Sequence, residues 1–332
     1  MIKIGVIGTG KWGINHLRIY KQLEREKLCE LVGLADLDEN KKSIADEHKI
    51  KYFKNYKDML AEVDAVSVVV PTDMHYSIVK ECLNSNKHVL VEKPITLDSK
   101  QAKELVQIAK EKKLVLSVGY LFRFNPAVIE LKRLLKSGET GKIQYITARY
   151  THSSKPPRKD SGVIFNLGIH LIDILNFTLE ERPKRVYCKK TTYLNNIHED
   201  CANILLDYGN FYADLEVSCC HPLKKRDMWV IAAKEKVYID FLEQIMIRYP
   251  LEITEKLVLA EKEKNIEIRK NEPLKAQLTH FIDCAQNYKE QNQDIKEEIK
   301  KIINIGEEEY YTTKICELAI ESAKIRTDLE LR

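Results

Sequence analysis

Over the first 120 residues, short apolar runs rich in β-branched side chains alternate with amphipathic stretches of helical length. The runs are IKIGVIG, CELVGLAD, DAVSVVVP, KHVLVEKP and LVLSVGY. Strands apolar on both faces need a cover on both faces, and the intervening helices supply it. The pattern therefore predicts a doubly wound parallel sheet, an α/β domain. After Tyr120 the period changes. A helix is expected over 126–136, followed by a strand, GKIQYITARY, a polar loop, THSSKPPRKDSG, and an apolar helix containing GVIFNLGIHLID, residues 162–173. Between about 182 and 270, alternating segments such as RVYCKKTTY, ANILLDYG, FYADLEVSC and KVYIDF are joined by short Gly, Asn or Lys-Glu turns, which predicts an antiparallel sheet. Charged helices are expected near 274–289 and 307–327. The predicted organisation is a parallel α/β domain, residues 1–120, followed by an α+β domain, residues 121–332, whose last helix can pack back on the first domain.

A chain of 332 residues is long enough for two such cores. Lys and Arg exceed Asp and Glu by only four, which gives no general case for nucleic acid as a partner. The eight cysteines contain no CxxC pair and read as reduced, mostly buried thiols of a cytoplasmic protein. No apolar run approaches a membrane span, and MIKIGVIGTG leads directly into a structural motif, so neither export nor membrane insertion is expected. His198-Glu199-Asp200-Cys201 has metal-binding residue types without a recognisable ligand spacing, and no metal site is predicted there.

The first strand runs into Gly8-Thr9-Gly10-Lys11-Trp12-Gly13, which opens a helix. Glycines at this spacing allow a tight turn, close approach of backbone to a pyrophosphate, and close packing of helix on strand. The position between a strand and a helix is what makes the motif informative. Asp36 ends the second strand, where its carboxylate can accept from a ribose 2'-hydroxyl and would repel a 2'-phosphate; the bland alternative is a helix N-cap. NAD is therefore expected, while Lys41 and Lys42 leave NADP open. Ligands bind outside the carboxyl ends of strands in such sheets, so Pro71, Thr72 and His75 after the third run, and Glu92 and Lys93 after the fourth, are candidate cofactor contacts. For His75, simple packing explains the residue nearly as well. In GVIFNLGIHLID, Asn166, His170 and Asp173 stand four and three apart and would share one face of an otherwise apolar helix.

GTGKWG, Glu92-Lys93-Pro94, the stretch GYLFRFNP at residues 119–126, and the Gly168, His170, Asp173 helix together resemble the Gfo/Idh/MocA oxidoreductases, in order and over nearly the whole chain. The resemblance implies an NAD(P)-binding Rossmann domain and a carboxy-terminal domain with an open antiparallel sheet. It also implies Lys93 at the nicotinamide and substrate, and His170 as acid or base towards a sugar or polyol hydroxyl. Many members carry Asp where this chain has Asn166, so a mechanism using a carboxylate there does not carry over. RFNP together with GVIxxLxIHxID is more similar to the branch that oxidises the 3-hydroxyl of UDP-N-acetylglucosamine or its uronic acid.

Oxidising a secondary alcohol requires a base for the hydroxyl proton, and imidazole suits that task near neutral pH. A lysine ammonium can stabilise the developing alkoxide. The minimal assignment is His170 as base, Lys93 as electrostatic partner or proton relay, and Asn166 as positioner. Asp173 is divided between substrate contact and an internal bond. Tyr120, Arg123 and Asn125 at the domain junction are further candidate substrate contacts. With Lys155, Arg158 and Lys159 in the polar loop, Arg123 would suit a diphosphate or carboxylate. The expected protein is an NAD-dependent sugar dehydrogenase forming a dimer or tetramer. Its rivals are an inositol-type or polyol dehydrogenase, an NAD-assisted glycosidase, and a non-catalytic NAD-binding regulator.

Overall fold

The computed structural model describes residues 1–153, 160–194, 197–253, 258–260, 262–287 and 307–331. Contacts divide the chain into two compact units, Met1–Leu121 with Glu272–Thr313, and Phe122–Asn271 with Lys314–Arg332.

The first unit is built on a parallel sheet of six strands, β1 (Ile2–Ile7), β2 (Cys29–Ala35), β3 (Lys51–Phe53), β4 (Ala65–Val68), β5 (His88–Val91) and β6 (Leu116–Val118), in the order β3-β2-β1-β4-β5-β6. That is the doubly wound order with a reversal at β1/β4, where open α/β sheets bind ligands. Every residue of β4, β5 and β6 is buried, as their uninterrupted apolar sequences require. β3 is as short as β6 but half exposed and starts with a lysine, so it leaves no apolar signature in the sequence.

Helices α1 (Gly13–Arg25), α2 (Lys42–His48), α3 (Tyr56–Leu60), α4 (His75–Asn84) and α5 (Ser99–Lys112) lie between the strands. Where α4 and α5 follow strand ends, they place residues after β4 and β5 at the carboxyl edge. The first unit takes in a later segment as well. Leu274, Leu278, Phe281, Ile282 and Ala285 belong to the same apolar core as Leu17, Tyr20 and Leu23 of α1. They come from the helix Pro273–Asn287. The boundary expected near residue 120 thus has a return crossing at residue 272, made by this helix and not by the closing one alone, because its apolar stripe completes the core over α1.

The second unit holds α6 (Pro126–Ser137), α7 (Ile169–Leu179) and a sheet of strands β7 (Ile143–Thr151), β8 (Arg185–Thr191), β9 (Cys201–Asp207), β10 (Tyr212–Ser218), β11 (Lys225–Ala232), β12 (Glu235–Asp240), β13 (Ile245–Ile253), β14 (Val258–Ala260), β15 (Lys264–Ile266) and β16 (Leu329–Glu330). The order is β14-β13-β12-β11-β7-β10-β9-β8-β16, with β15 on β13. Pairing is antiparallel except between β7 and β10, which run parallel. A parallel neighbour needs a long crossover, and here the connection travels through α7, β8 and β9. Residues 169–178 of α7 are all buried, the behaviour of a helix apolar on every side.

Candidate active site

In the first unit the glycine loop is shaped by its own packing. Gly8 takes φ +89°, and a Cβ there would stand 2.5 Å from the Val69 carbonyl oxygen; at Gly13 it would stand 2.1 Å from the Gly8 carbonyl oxygen. At Gly10 a Cβ would meet nothing within 4 Å, so no protein contact demands glycine there. That open position is the one at which a pyrophosphate needs close backbone approach. Gly10, Lys11 and Trp12 are exposed, and α1 begins with no acidic residue in its first turn and no side-chain cap. The Ile14, Asn15 and His16 amides bond back to the Gly10 and Trp12 carbonyls, and the dipole of the helix that starts there favours an anion. These residues fit NAD.

Asp36 is fixed by hydrogen bonds at the end of β2. The Thr9 N–H and hydroxyl donate to Oδ2 at 2.7 and 2.8 Å, and the Asp38 N–H donates to Oδ1 at 3.0 Å. Burial pushes its pKa up, but these hydrogen bonds and the Lys41 charge outweigh it and hold the carboxyl below its ordinary value. It therefore stays an acceptor.

Glu92 forms the centre of a buried cluster. It accepts from Trp12 Nε1 at 2.7 Å and from the Lys93 N–H at 3.2 Å, and His16 Nε2 lies 3.2 Å from its Oε1. Desolvation raises its pKa, yet the His16 bond and charge, the Lys93 charge and the Trp12 bond bring it below the usual value. A Cβ on Gly119 would stand 2.9 Å from this carboxylate, which ties the GY pair to the Glu-Lys-Pro triplet. Glu92 thus acts from behind the loop and orients Trp12 and the Lys93 backbone. Lys93 itself is half-buried and precedes a cis proline.

His75, expected as a possible cofactor contact, is 1% exposed, with Nδ1 2.7 Å from the Pro94 carbonyl oxygen and Nε2 2.9 Å from that of Val70. It braces the ends of β4 and β5 and offers no free surface to a ligand. Pro71 is exposed and Thr72 buried.

In the second unit the apolar helix does not start as the sequence pattern suggests. Residues Ile164–Gly168 form a π-helical turn that passes into α7 at Ile169. Such turns concentrate at functional sites. The entry is pinned by Glu199, whose carboxylate accepts from the Ile164 N–H at 3.2 Å and whose carbonyl accepts from the Val163 N–H at 3.0 Å. A Cβ on Gly162 would collide with that carboxylate at 2.2 Å. Asn166 is half-buried within the turn. His170 is 5% exposed, with the Phe122 ring edge-on at 5.2 Å and the Tyr150 ring stacked at 5.5 Å. Two aromatic rings thus fix the plane of the imidazole. Neither Phe122, within GYLFRFNP, nor Tyr150 carries a sequence signal for His170; a 3-10 turn at Leu121–Phe124 and the strand β7 bring them to it.

Four candidate substrate contacts are buried here, among them Arg123, Asp173 and Asn125 with protein partners. Asp173 and Arg123 pair with each other, Nε donating at 3.0 and 3.1 Å and Nη2 at 2.5 Å, and they are 1% and 4% exposed. A guanidinium buried on a carboxylate is not a cation at a cleft mouth. Asn125 caps α6 by accepting from the Ala127 N–H at 3.0 Å and donates to the Phe241 carbonyl at 2.9 Å. Tyr120 is 1% exposed. Lys155, Arg158 and Lys159 lie outside the described residues.

In the His198–Cys201 stretch, Asp200 Oδ2 accepts from the N–H groups of Tyr193 and Leu194 at 2.6 and 2.5 Å. Asp200, Cys201 and Cys220 each bring one potential ligand atom within 4.8 Å of the others, one short of the four that close a structural zinc site.

The family profile described as oxidoreductase family, NAD-binding Rossmann fold, matches residues 2–120, and the GFO/IDH/MocA C-terminal domain matches residues 128–238. The chain belongs to the Gfo/Idh/MocA oxidoreductase family. Among its Gfo/Idh/MocA relatives is UDP-N-acetylglucosamine 3-dehydrogenase of Acidithiobacillus ferrooxidans, 34% identical over 174 residues that cover 52% of this chain and 53% of that protein. Inositol 2-dehydrogenase of Salmonella paratyphi B is 27% identical over 192 residues, 56% of each chain. The chain spans about half the length of the curated relatives it matches. The fold is shared with the solved structure of the A. ferrooxidans enzyme, at TM-score 0.80, 24% identity and 97% coverage of both chains. It is shared also with an NAD-binding protein from Listeria innocua, at TM-score 0.80, 19% identity and coverage of 99% and 96%. No helix among the described residues is long and apolar enough to cross a membrane.

Proposed function

We propose that this Gfo/Idh/MocA chain is a cytoplasmic, NAD-dependent dehydrogenase that oxidises a secondary hydroxyl of a sugar, at C3 of a UDP-linked N-acetylated amino sugar. The observation that carries the reading is His170, clasped by Phe122 and Tyr150 directly after a π-helical turn that holds Asn166. An imidazole in a fixed plane is suited to take a hydroxyl proton, and the neutral Asn166 amide can orient the hydroxyl without competing for that proton. The Lys93 ammonium stabilises the alkoxide that develops as the proton leaves. Residues 8–13 and Asp36 would hold NAD, which when bound would supply the acceptor for the hydride. Asp36, fixed as an acceptor by Thr9, favours NAD over NADP.

The choice of a UDP-sugar rests on the relative that bears that name, and the inositol 2-dehydrogenase relatives keep a polyol as the second reading. NADH formation with UDP-N-acetylglucosamine and with myo-inositol as alternative substrates separates the two. Net NADH also distinguishes a dehydrogenase from an NAD-assisted glycosidase, which regenerates its cofactor, and from a non-catalytic NAD-binding regulator. Tyr187, Leu205 and Tyr212 stand 39%, 38% and 43% exposed on adjacent strands of the second sheet, and we assign that face to self-association in a homo-oligomer.

A further inference from the structure

The second unit carries a cation whose role nothing above accounts for. Arg226, on β11, pairs in register with Tyr150 on β7, and its guanidinium carbon lies 4.4 Å from the centre of the Tyr150 ring. The same ring stacks on His170 at 5.5 Å, so the guanidinium lies within about 10 Å of the imidazole. Arg226 has no carboxylate partner among the described residues, and its Nε is shielded from solvent without a hydrogen-bond acceptor. The acid next to it in sequence is already engaged: Asp227 accepts from Arg149 at 2.9 and 2.7 Å. A half-buried guanidinium with an unused donor is costly unless something accepts from it.

His152 adds a second observation. It lies two residues beyond Tyr150, and its Nδ1 is buried with no hydrogen-bond partner. Burial, and then the charges of Arg226 and Lys224, hold its pKa below the ordinary imidazole value. Arg226 and His152 each keep a buried nitrogen without a partner next to Tyr150, and the Lys224 charge lies close enough to act on His152.

We propose that Arg226, with His152 and Lys224, forms an oxyanion subsite that binds a phosphate or carboxylate group of the substrate and so positions its hydroxyl at His170. Arg226 is a specificity and positioning residue, and the subsite takes the role that Arg123 cannot fill. The proposal deepens the sugar-dehydrogenase reading and rests on it for the identity of the neighbouring base. The anion site itself is testable without turnover.

The test is calorimetric titration of the full chain with two probes, UDP for the phosphate source and D-glucuronate for the carboxylate source, in the parent, Arg226→Met and Arg226→Lys. NAD affinity and thermal unfolding are read in parallel. The parent is expected to bind one of the two anions. Arg226→Met should weaken that binding by about tenfold or more, Arg226→Lys should recover part of it, and NAD affinity should be unchanged. A merely structural arginine would alter unfolding without selectivity for the anion. Equal anion affinity in parent and Arg226→Met, or no binding of either anion by the parent, overturns the subsite. Arginine-dependent anion binding in a chain that forms no NADH from any sugar leaves the subsite standing and defeats only the dehydrogenase reading.

Discussion

At the residue scale the account depends on which polar groups are committed to the protein and which are left for ligands. Asp36, fixed by Thr9 and Asp38, is the acceptor proposed for the cofactor. Asp36→Ala should weaken NAD binding by about 10- to 100-fold, the worth of a charge-assisted hydrogen bond, and should narrow the preference over NADP; competition titrations with the two cofactors check this. Asp173 and Arg123 are committed to each other. Asp173→Asn should cost about 3–5 kcal/mol in urea unfolding because it strands a buried guanidinium, and replacing both residues by apolar ones should recover most of the loss. Glu92 links stability to pH. Its folded pKa is depressed, so its contribution is present above the ordinary carboxylate value and is lost as pH falls through the depressed one. Unfolding between roughly pH 6 and pH 2 should show an acid limb in the parent that is shallower in Glu92→Gln.

At the element scale the glycine loop separates two demands that the motif merges. Gly13→Ala should destabilise the first unit, since the added methyl meets the Gly8 carbonyl. Gly10→Ala should leave unfolding unchanged and weaken NAD binding, because only a ligand competes for that space. Much of the fold was legible at this scale: the five apolar strand runs of the first unit, the alternating strands of the second, and Pro126–Ser137 follow directly from hydrophobic period and capping residues. What escaped has physical reasons. β3 is half exposed and lacks an apolar run, the β7/β10 parallel pair depends on a crossover and not on local sequence, and the π-helical turn leaves the apolar pattern unchanged while altering backbone pairing. The Arg123–Asp173 pair spans fifty residues of sequence, and neither residue type announces which partner it will find.

At the scale of the whole molecule, the sequence motifs gave the family and the cofactor half, while the surroundings of His170 required the sheet register. The exposed Tyr187, Leu205 and Tyr212 face should hold copies of the chain together. Leu205→Lys with Tyr212→Glu is expected to lower the mass measured by light scattering to that of a monomer, and an unchanged mass would place any self-association elsewhere. The central claim is that His170 and Lys93 oxidise a sugar hydroxyl with NAD. Its most direct test is NADH formation from UDP-N-acetylglucosamine in the parent, His170→Ala and Lys93→Met, with NAD binding measured in each. The account predicts turnover in the parent and a loss of roughly 10²- to 10⁴-fold in either variant with NAD still bound. Hydride transfer at the parental rate in Lys93→Met or His170→Ala would contradict it.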